Sequence, residues 1–232
     1  MVDLFAGLGG WAEGGLAEGY DVIGFDNERH VYGDAKYPAQ LVIQDVLTLH
    51  GSQFKDAALI VASPPCQAYS YRAMPWKRAK ALPPPDNTLF EACFRIQREA
   101  IEAAGHHIPL VVENVCGAQK WVGRARWHYG SFYLWGDVPA LMPIIRGRLK
   151  AAVTHRADDK PFLDFRRKNT IANAQEGRKQ RGSGAAWWRG EVGSKSSKSS
   201  KRKAASAHIA KIPLPLSRCI ARSWKPVEVS DV

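Results

Sequence analysis

Four stretches of this 232-residue chain combine residue types and spacings that could do chemistry. Ser63-Pro64-Pro65-Cys66-Gln67 sets a thiol on a backbone stiffened by two prolines. Little of an unperturbed thiol is thiolate at neutral pH, so a nucleophilic Cys66 needs activation from its surroundings. A cysteine lacking such a site is a small buried hydrophobe. Val111-Val112-Glu113-Asn114-Val115 ends an apolar run on an acid. A half-buried carboxyl there would have a raised pKa and could donate or share a proton, or it could simply cap a strand end. In Arg124-Ala125-Arg126 the period-two spacing puts both guanidinium groups on one side if the piece is extended, suiting a base carbonyl or a phosphate, or simply a solvated Arg pair. Asp3-Leu4-Phe5-Ala6-Gly7-Leu8-Gly9-Gly10 is a glycine turn that lets backbone pass close to a nucleotide or nucleoside, or serves as a tight structural turn. Downstream, Asp26 suits the hydroxyls of a ribose or the N-cap of a following helix. Asp45 could accept an exocyclic amine or be a surface acid.

These residues need elements that bring them to one edge. The pattern predicts strands over Met1–Phe5, Tyr20–Phe25, Leu41–Ile43, Ala57–Ala62, Ile108–Val112 and Ser131–Trp135. Helices are expected over Trp11–Gly19, Glu28–Tyr37 and Thr88–Ala104, with a short closing helix over Ser217–Trp224. Strands alternating with helices of this length indicate an α/β fold with a doubly wound, mostly parallel sheet. In such a sheet a ligand lies at the carboxyl ends of the strands. Asp26, Asp45, Cys66 and Glu113 all follow or end predicted strands. Ser63–Asn87, with six prolines, is too long to be a mere connection and reads as a lid carrying Tyr69, Tyr71, Arg72, Trp76, Lys77, Arg78 and Lys80, or as a stiff surface loop.

The net charge of +11 is unevenly spread. Residues 143–204 hold 17 Lys and Arg against 5 Asp and Glu, a net of +12, and the remainder is near neutral. A polyanion-binding module beside a neutral catalytic body has this distribution, as does a solvated basic face. The tract Gly193–Ser206 is Lys/Ser low complexity and is expected to be mobile. Hydrophobic residues at 45% and charged residues at 24% exclude fibrous and disordered classes. The chain lacks a long apolar run or a basic leader, so a cytoplasmic protein without membrane association is expected. The four scattered cysteines suit a reducing compartment and argue against a structural metal.

In this order the motifs resemble those of the cytosine-5 DNA methyltransferase family. Asp3–Gly10 looks like its first motif, Pro65-Cys66-Gln67 its nucleophile motif and Glu113-Asn114-Val115 its Glu-Asn-Val motif. Arg124-x-Arg126 is similar to its Gln-x-Arg-x-Arg, with Val122 where the glutamine would be. Ile212–Leu216 is similar to its final motif, with Ile209-Ala210 replacing the usual Gly-Asn. Amino-group methyltransferases place an aromatic residue after the Pro-Pro turn, whereas this chain has Cys66, which favours methylation at carbon.

The resemblance implies a Rossmann-like S-adenosylmethionine-dependent methyltransferase fold with a small basic target-recognition insertion. Residues 1–142 would form the cofactor-binding catalytic domain, 143–206 the reader, and 207–232 the return to the catalytic domain. S-adenosylmethionine would be held by Asp3, Phe5, Ala6, Gly7, Leu8, Gly9, Gly10, Asp26, Asn27, Asp45 and Pro64, with Asn27 a poor platform for the adenine. Cys66 would attack C6 of a flipped cytosine, Glu113 would engage N3, Arg126 would hold O2, and Arg124 would support the loop. Double-stranded DNA is the implied partner, contacted through Gln67, Tyr71, Arg72, Arg166, Arg167, Lys168, Arg178, Arg181, Trp187, Trp188 and Arg189. A reader this short implies a target of few base pairs or weak specificity. An RNA substrate and a catalytically silent binding homologue are the alternative readings, and a monomer is expected.

Overall fold

The computed structural model describes residues 1–70, 81–142 and 200–226. Seven strands form one sheet: β1 (Val2–Leu4), β2 (Ile23–Asp26), β5 (Gln40–Ile43), β6 (Ile60–Ala62), β7 (Leu110–Asn114), β8 (Trp127–Tyr129) and β9 (Phe132–Gly136). Their order is β5-β2-β1-β6-β7-β9-β8. The first five run parallel, and β9 returns antiparallel to β7 with β8 at its edge. The chain order reverses between β1 and β6, so the crevice of this doubly wound sheet opens at the ends of those two strands.

The central strands are buried on both faces, which is why they read as continuous apolar runs. One face packs α2 (Thr88–Ala104), whose Phe90, Cys93, Ile96 and Ala100 follow helical spacing against Leu4, Ala62 and Val112. This helix has the predicted bounds and stops at Gly105, where φ is 71°. The other face packs α1 (Gly10–Ala17) and α5 (Leu214–Ser223) against Val61 and Val111. A Cβ on Gly14 would lie 2.4 Å from the Ser217 backbone, so the two helices meet at glycine-only distance. Arg218 and Arg222 clasp Glu18 across this contact, and their hydrogen bonds pull its carboxyl down to about 2.

The expected helix over Glu28–Tyr37 is instead a hairpin, β3 (Val31–Tyr32) and β4 (Ala35–Lys36). Gly33-Asp34 forms a two-residue turn with Gly33 at φ 62°, the chemistry of a hairpin connection, and that local signal overrides the helical spacing. The closing helix begins three residues earlier than expected, at the Pro213 cap. The end of the Lys/Ser tract is helical: α4 (Ser200–Ala210) takes in residues 200–206, where Lys, Arg and Ala are favourable helix formers. A one-turn helix, α3 (Gln119–Val122), follows β7. No helix among the described residues is long and apolar enough to cross a membrane.

Candidate active site

A cavity of about 390 Å³ opens at the switch point, a size typical of small-ligand sites. Its floor is the turn after β1. Phe5 takes φ 61°, which side chains rarely adopt, and Gly7 and Gly9 take φ 52° and 73°. Strain at a bulky residue such as Phe5 persists only where its surroundings impose it, and Phe5 lines the cavity. The Gly7 N–H donates to Asp26 Oδ2 at 2.9 Å, binding the turn to the end of β2. A Cβ on Gly10 would lie 2.4 Å from the backbone nitrogen of Ile212, so glycine here admits the segment that closes the cavity.

Phe5, Ala6, Gly7, Leu8, Gly10, Asp26, Asn27 and Asp45 line the cavity, as the motif reading expects. Asp3, Gly9 and Pro64 are not among its lining residues. Asp3 has 0% exposure beneath the floor, where burial raises its pKa well above the ordinary value and Tyr37 donates to it at 3.1 Å. Gly9 packs beside Pro38 and Tyr37 as the α1 cap. Pro64 is buried, with its carbonyl engaged by Asn114.

Asp26 begins no helix: it accepts from Gly7 and from the Glu28 N–H and faces His30 at 3.6 Å. Burial alone would raise its pKa, but His30 and the two amides overcome that and lower it, leaving a charged acceptor for hydroxyls. Asp45 joins both readings, since it lines the cavity while capping a short turn through the Leu47 N–H at 2.9 Å. Glu28 also lines the cavity, so three carboxylates face it against His30 and Lys211, and Lys211 pairs with Glu13. This lining repels phosphates and suits a nucleoside carrying cationic groups.

The second half of the site is built by strand register. Ala62 pairs with Val112, so the next positions, Ser63 just past β6 and Glu113 within β7, follow side by side. Glu113 is only 5% exposed. Asn114 Nδ2 donates to the Pro64 carbonyl at 3.0 Å in a buried bond, and its Oδ1 accepts from the Val115 N–H at 2.8 Å. Asn114 thereby fixes the turn bearing Cys66 to the strand bearing Glu113. Cys66 is partly exposed, and its neighbours Pro65 and Gln67 line the cavity, which places it at the rim. Gln67, expected on nucleic acid, is thus also a wall of the cofactor-sized cavity.

Arg124 and Arg126 are exposed and lie just before the edge strand β8. The Arg126 N–H donates to the Leu134 carbonyl at 2.8 Å, and Leu134 pairs with Glu113, so one strand separates Arg126 from the acid. The Ala125 N–H donates to Gln119 Oε1 at 3.1 Å. Gln119 at the start of α3 therefore holds the backbone between Arg124 and Arg126, a contact invisible in a motif read at fixed spacing. Tyr69, expected in the stacking lid, is 3% exposed and hydrogen-bonds Asn87, anchoring the loop base. Tyr71, Arg72, Trp76, Lys77, Arg78 and Lys80 lie outside the described residues, as do Arg166, Arg167, Lys168, Arg178, Arg181, Trp187, Trp188 and Arg189.

Sequence reasoning missed several lining residues. Trp11 donates from Nε1 to Ser63 Oγ at 2.9 Å, linking the first helix to the cysteine turn. His30 and Lys211 enter from the hairpin and from the junction of α4 and α5, two elements the spacing did not foretell. Among the described residues no cluster of His, Cys, Asp and Glu could hold a metal ion.

A search of curated proteins finds no match to the chain. The family model for C-5 cytosine-specific DNA methylase matches residues 1–120, which hold the glycine turn, the cysteine turn and the Glu-Asn-Val strand end. With that match covering just over half of its length and the Rossmann-like sheet beneath it, the chain belongs to the C-5 cytosine-specific DNA methylases.

Proposed function

We propose that the protein transfers a methyl group from S-adenosylmethionine to C5 of cytosine in DNA through a covalent adduct on Cys66. The observation that carries this reading is the Asn114–Pro64 bond, which sets Cys66 and Glu113 on one edge beside an acid-lined nucleoside cavity. The lining suits the cofactor: Asp26 is a charged acceptor for ribose hydroxyls, and the carboxylates suit an amino acid tail with an ammonium and a sulfonium. Bound there, S-adenosylmethionine supplies an electrophilic methyl group.

The chain's own residues do the rest. The Cys66 thiolate adds to C6, and the electron pair displaced from the C5–C6 bond moves into the ring toward N3. Glu113 hydrogen-bonds or protonates N3, so that charge does not build up on an unsupported ring. Arg126 holds O2, and Gln119 sets the backbone carrying it. C5 then takes the methyl group. Water takes the C5 proton, the C5–H electron pair re-forms the C5–C6 double bond as Cys66 leaves as thiolate, and N3 returns its proton to Glu113, which restores the aromatic ring. The base reaches this edge only when flipped from the duplex, at a cost of a few kcal/mol. The basic residues 143–206 are the assigned DNA reader, in a monomer, on charge and on position between the Arg pair and the closing helix.

Tritiated S-adenosylmethionine offered with duplex DNA tests the reading, with bisulfite sequencing to locate the product. Label at cytosine C5 is expected, and no label on DNA would overturn it. Cys66→Ala is expected to abolish both transfer and trapping by 5-fluorocytosine DNA while S-adenosylhomocysteine still binds. Transfer surviving in that variant removes Cys66 as nucleophile.

A further inference from the structure

The mechanism leaves one feature of the catalytic edge unused. On the outer strands, Trp127, His128 and Tyr133 form a ladder of rings. Trp127 and His128 lie 6.3 Å apart with planes 27° from parallel, and His128 and Tyr133 lie 5.0 Å apart at 17°. Trp127 is 41% exposed, His128 is exposed, and neither belongs to either core cluster. Burial therefore does not explain an indole and an imidazole here.

Register locates the ladder. Tyr133 pairs with both His128 and Asn114, and Leu134 pairs with both Trp127 and Glu113. The rings thus stand level with the two residues that organise the reaction, two strands away, on the order of 10 Å. Residues 115–136 include Lys120, Arg124 and Arg126 and contain no Asp or Glu. Lys120 Nζ sits 4.5 Å from the Trp121 ring centre, and Arg124 and Arg126 are exposed beside the ladder. Flat exposed rings interleaved with cations and free of acids fit a strand of nucleic acid, since bases stack on the rings and phosphates meet the cations. An acidic protein would satisfy the charges but would leave the flat faces without a matching partner.

We propose that the Trp127–His128–Tyr133 ladder is a stacking platform for an unpaired DNA base next to the methylation site, separate from the basic reader. It rests on the methyl-transfer reading for its setting. A base leaving the duplex disturbs the stack around it, and a ring surface level with Glu113 can hold a base so exposed. Trp127, 41% exposed, carries the largest ring of the three.

Fluorescence anisotropy with a labelled single-stranded DNA, and with a duplex carrying one unpaired cytosine, tests the platform. Trp127→Ala is expected to weaken binding about tenfold on both probes, with a smaller change on a fully paired duplex. Trp127→Phe is expected to stay within about twofold of wild type, because it keeps a ring. S-adenosylhomocysteine binding and the melting temperature should not move in either variant. Unchanged DNA binding in Trp127→Ala overturns the proposal. So does an equal loss in Trp127→Phe, a parallel loss of S-adenosylhomocysteine binding, or a loss seen with RNA but absent with DNA. Wild-type label transfer to DNA reports separately on the chemistry. A wild type that transfers no label, with Trp127→Ala still binding DNA tenfold more weakly, sinks the methyl-transfer reading and leaves the platform standing.

Discussion

Asn114 at the end of β7 donates to the Pro64 carbonyl at 3.0 Å, and this one buried bond joins the strand that carries Glu113 to the turn that presents the thiol. The two prolines remove backbone donors from that turn, and this side chain holds it together with Trp11 on Ser63 Oγ and the Tyr69 N–H on the Cys66 carbonyl. Its loss leaves a buried carbonyl without a partner and lets Cys66 drift relative to Glu113.

Asn114→Ala is therefore expected to cost about 1–3 kcal/mol of stability. A misplacement near 1 Å at a reacting group reduces turnover about a hundredfold. The drop should fall on kcat, with S-adenosylhomocysteine affinity unchanged, because Asn114 does not line the cavity. Asn114→Asp keeps the acceptor for the Val115 N–H but faces the Pro64 carbonyl with an oxygen, and should be no better than alanine. Calorimetric melting and steady-state kinetics check both. Wild-type kcat in either variant would remove Asn114 as the organiser of the edge.

Gly10→Ala tests how the cavity is closed. The added methyl would lie 2.4 Å from the Ile212 nitrogen and 2.6 Å from its carbonyl oxygen, and backbone there cannot rotate aside. The expected result is a loss of about 1–3 kcal/mol from overpacking and a weakened hold on S-adenosylhomocysteine, since Ile212 and Lys211 line the cavity. Gly33→Ala makes the contrast. Nothing lies within 4 Å of its added methyl, so only the cost of its φ of 62° remains, and cofactor affinity should hold.

These cases show where the sequence was legible. The parallel core, α2 and the cysteine and glycine turns were readable because each is fixed by residues adjacent in the chain: apolar runs, a 3.6-residue period, or Pro and Gly at set places. The hairpin at 31–36 was not, because a helical spacing of apolar residues masked the Gly33-Asp34 turn. Trp11 with Ser63, Gln119 with Ala125, and His30 with Asp26 were hidden for another reason: the first pair is 52 positions apart, and the other two depend on turns whose geometry spacing does not specify. Likewise Asp3 belongs to the first motif yet is buried beneath the cavity, since alternation along β1 sets its side chain and motif membership does not.

His30 gives the site a pH response. Asp26 raises its pKa above the ordinary 6.5, with Glu28 adding to the effect and burial and Lys203 opposing it; Tyr32 flanks the ring. A raised pKa in the folded state adds stability that is fully present below pH 6.5 and is lost as pH rises through the folded value. Asp26, lowered from 3.8, adds stability that holds above that pH and is lost below it. His30→Gln should therefore melt lower than wild type near pH 6 and match it well above neutrality. Melting curves across that range check this, and a constant gap at every pH would overturn the pairing.

Asp3 carries the opposite sign. It is fully buried, and it accepts from the Tyr37 hydroxyl and from the Ala12 amide. Burial raises its pKa well above 3.8, with the Asp26 charge adding to the effect and the Tyr37 bond opposing it. A carboxyl raised in the folded state favours the protonated form, so its contribution is complete below pH 3.8 and falls as pH climbs toward the folded value. Asp3→Asn replaces it with a neutral group of the same shape that can still accept from the Tyr37 hydroxyl. The variant should melt higher than wild type at alkaline pH, with the gap closing toward pH 4 as wild-type Asp3 takes up its proton. Tyr37→Phe removes the one side-chain donor and should melt lower, with the larger loss at alkaline pH, where the charged form most needs that bond. Parallel melting curves for the two variants would show that Asp3 is held by something other than its charge and the Tyr37 hydroxyl.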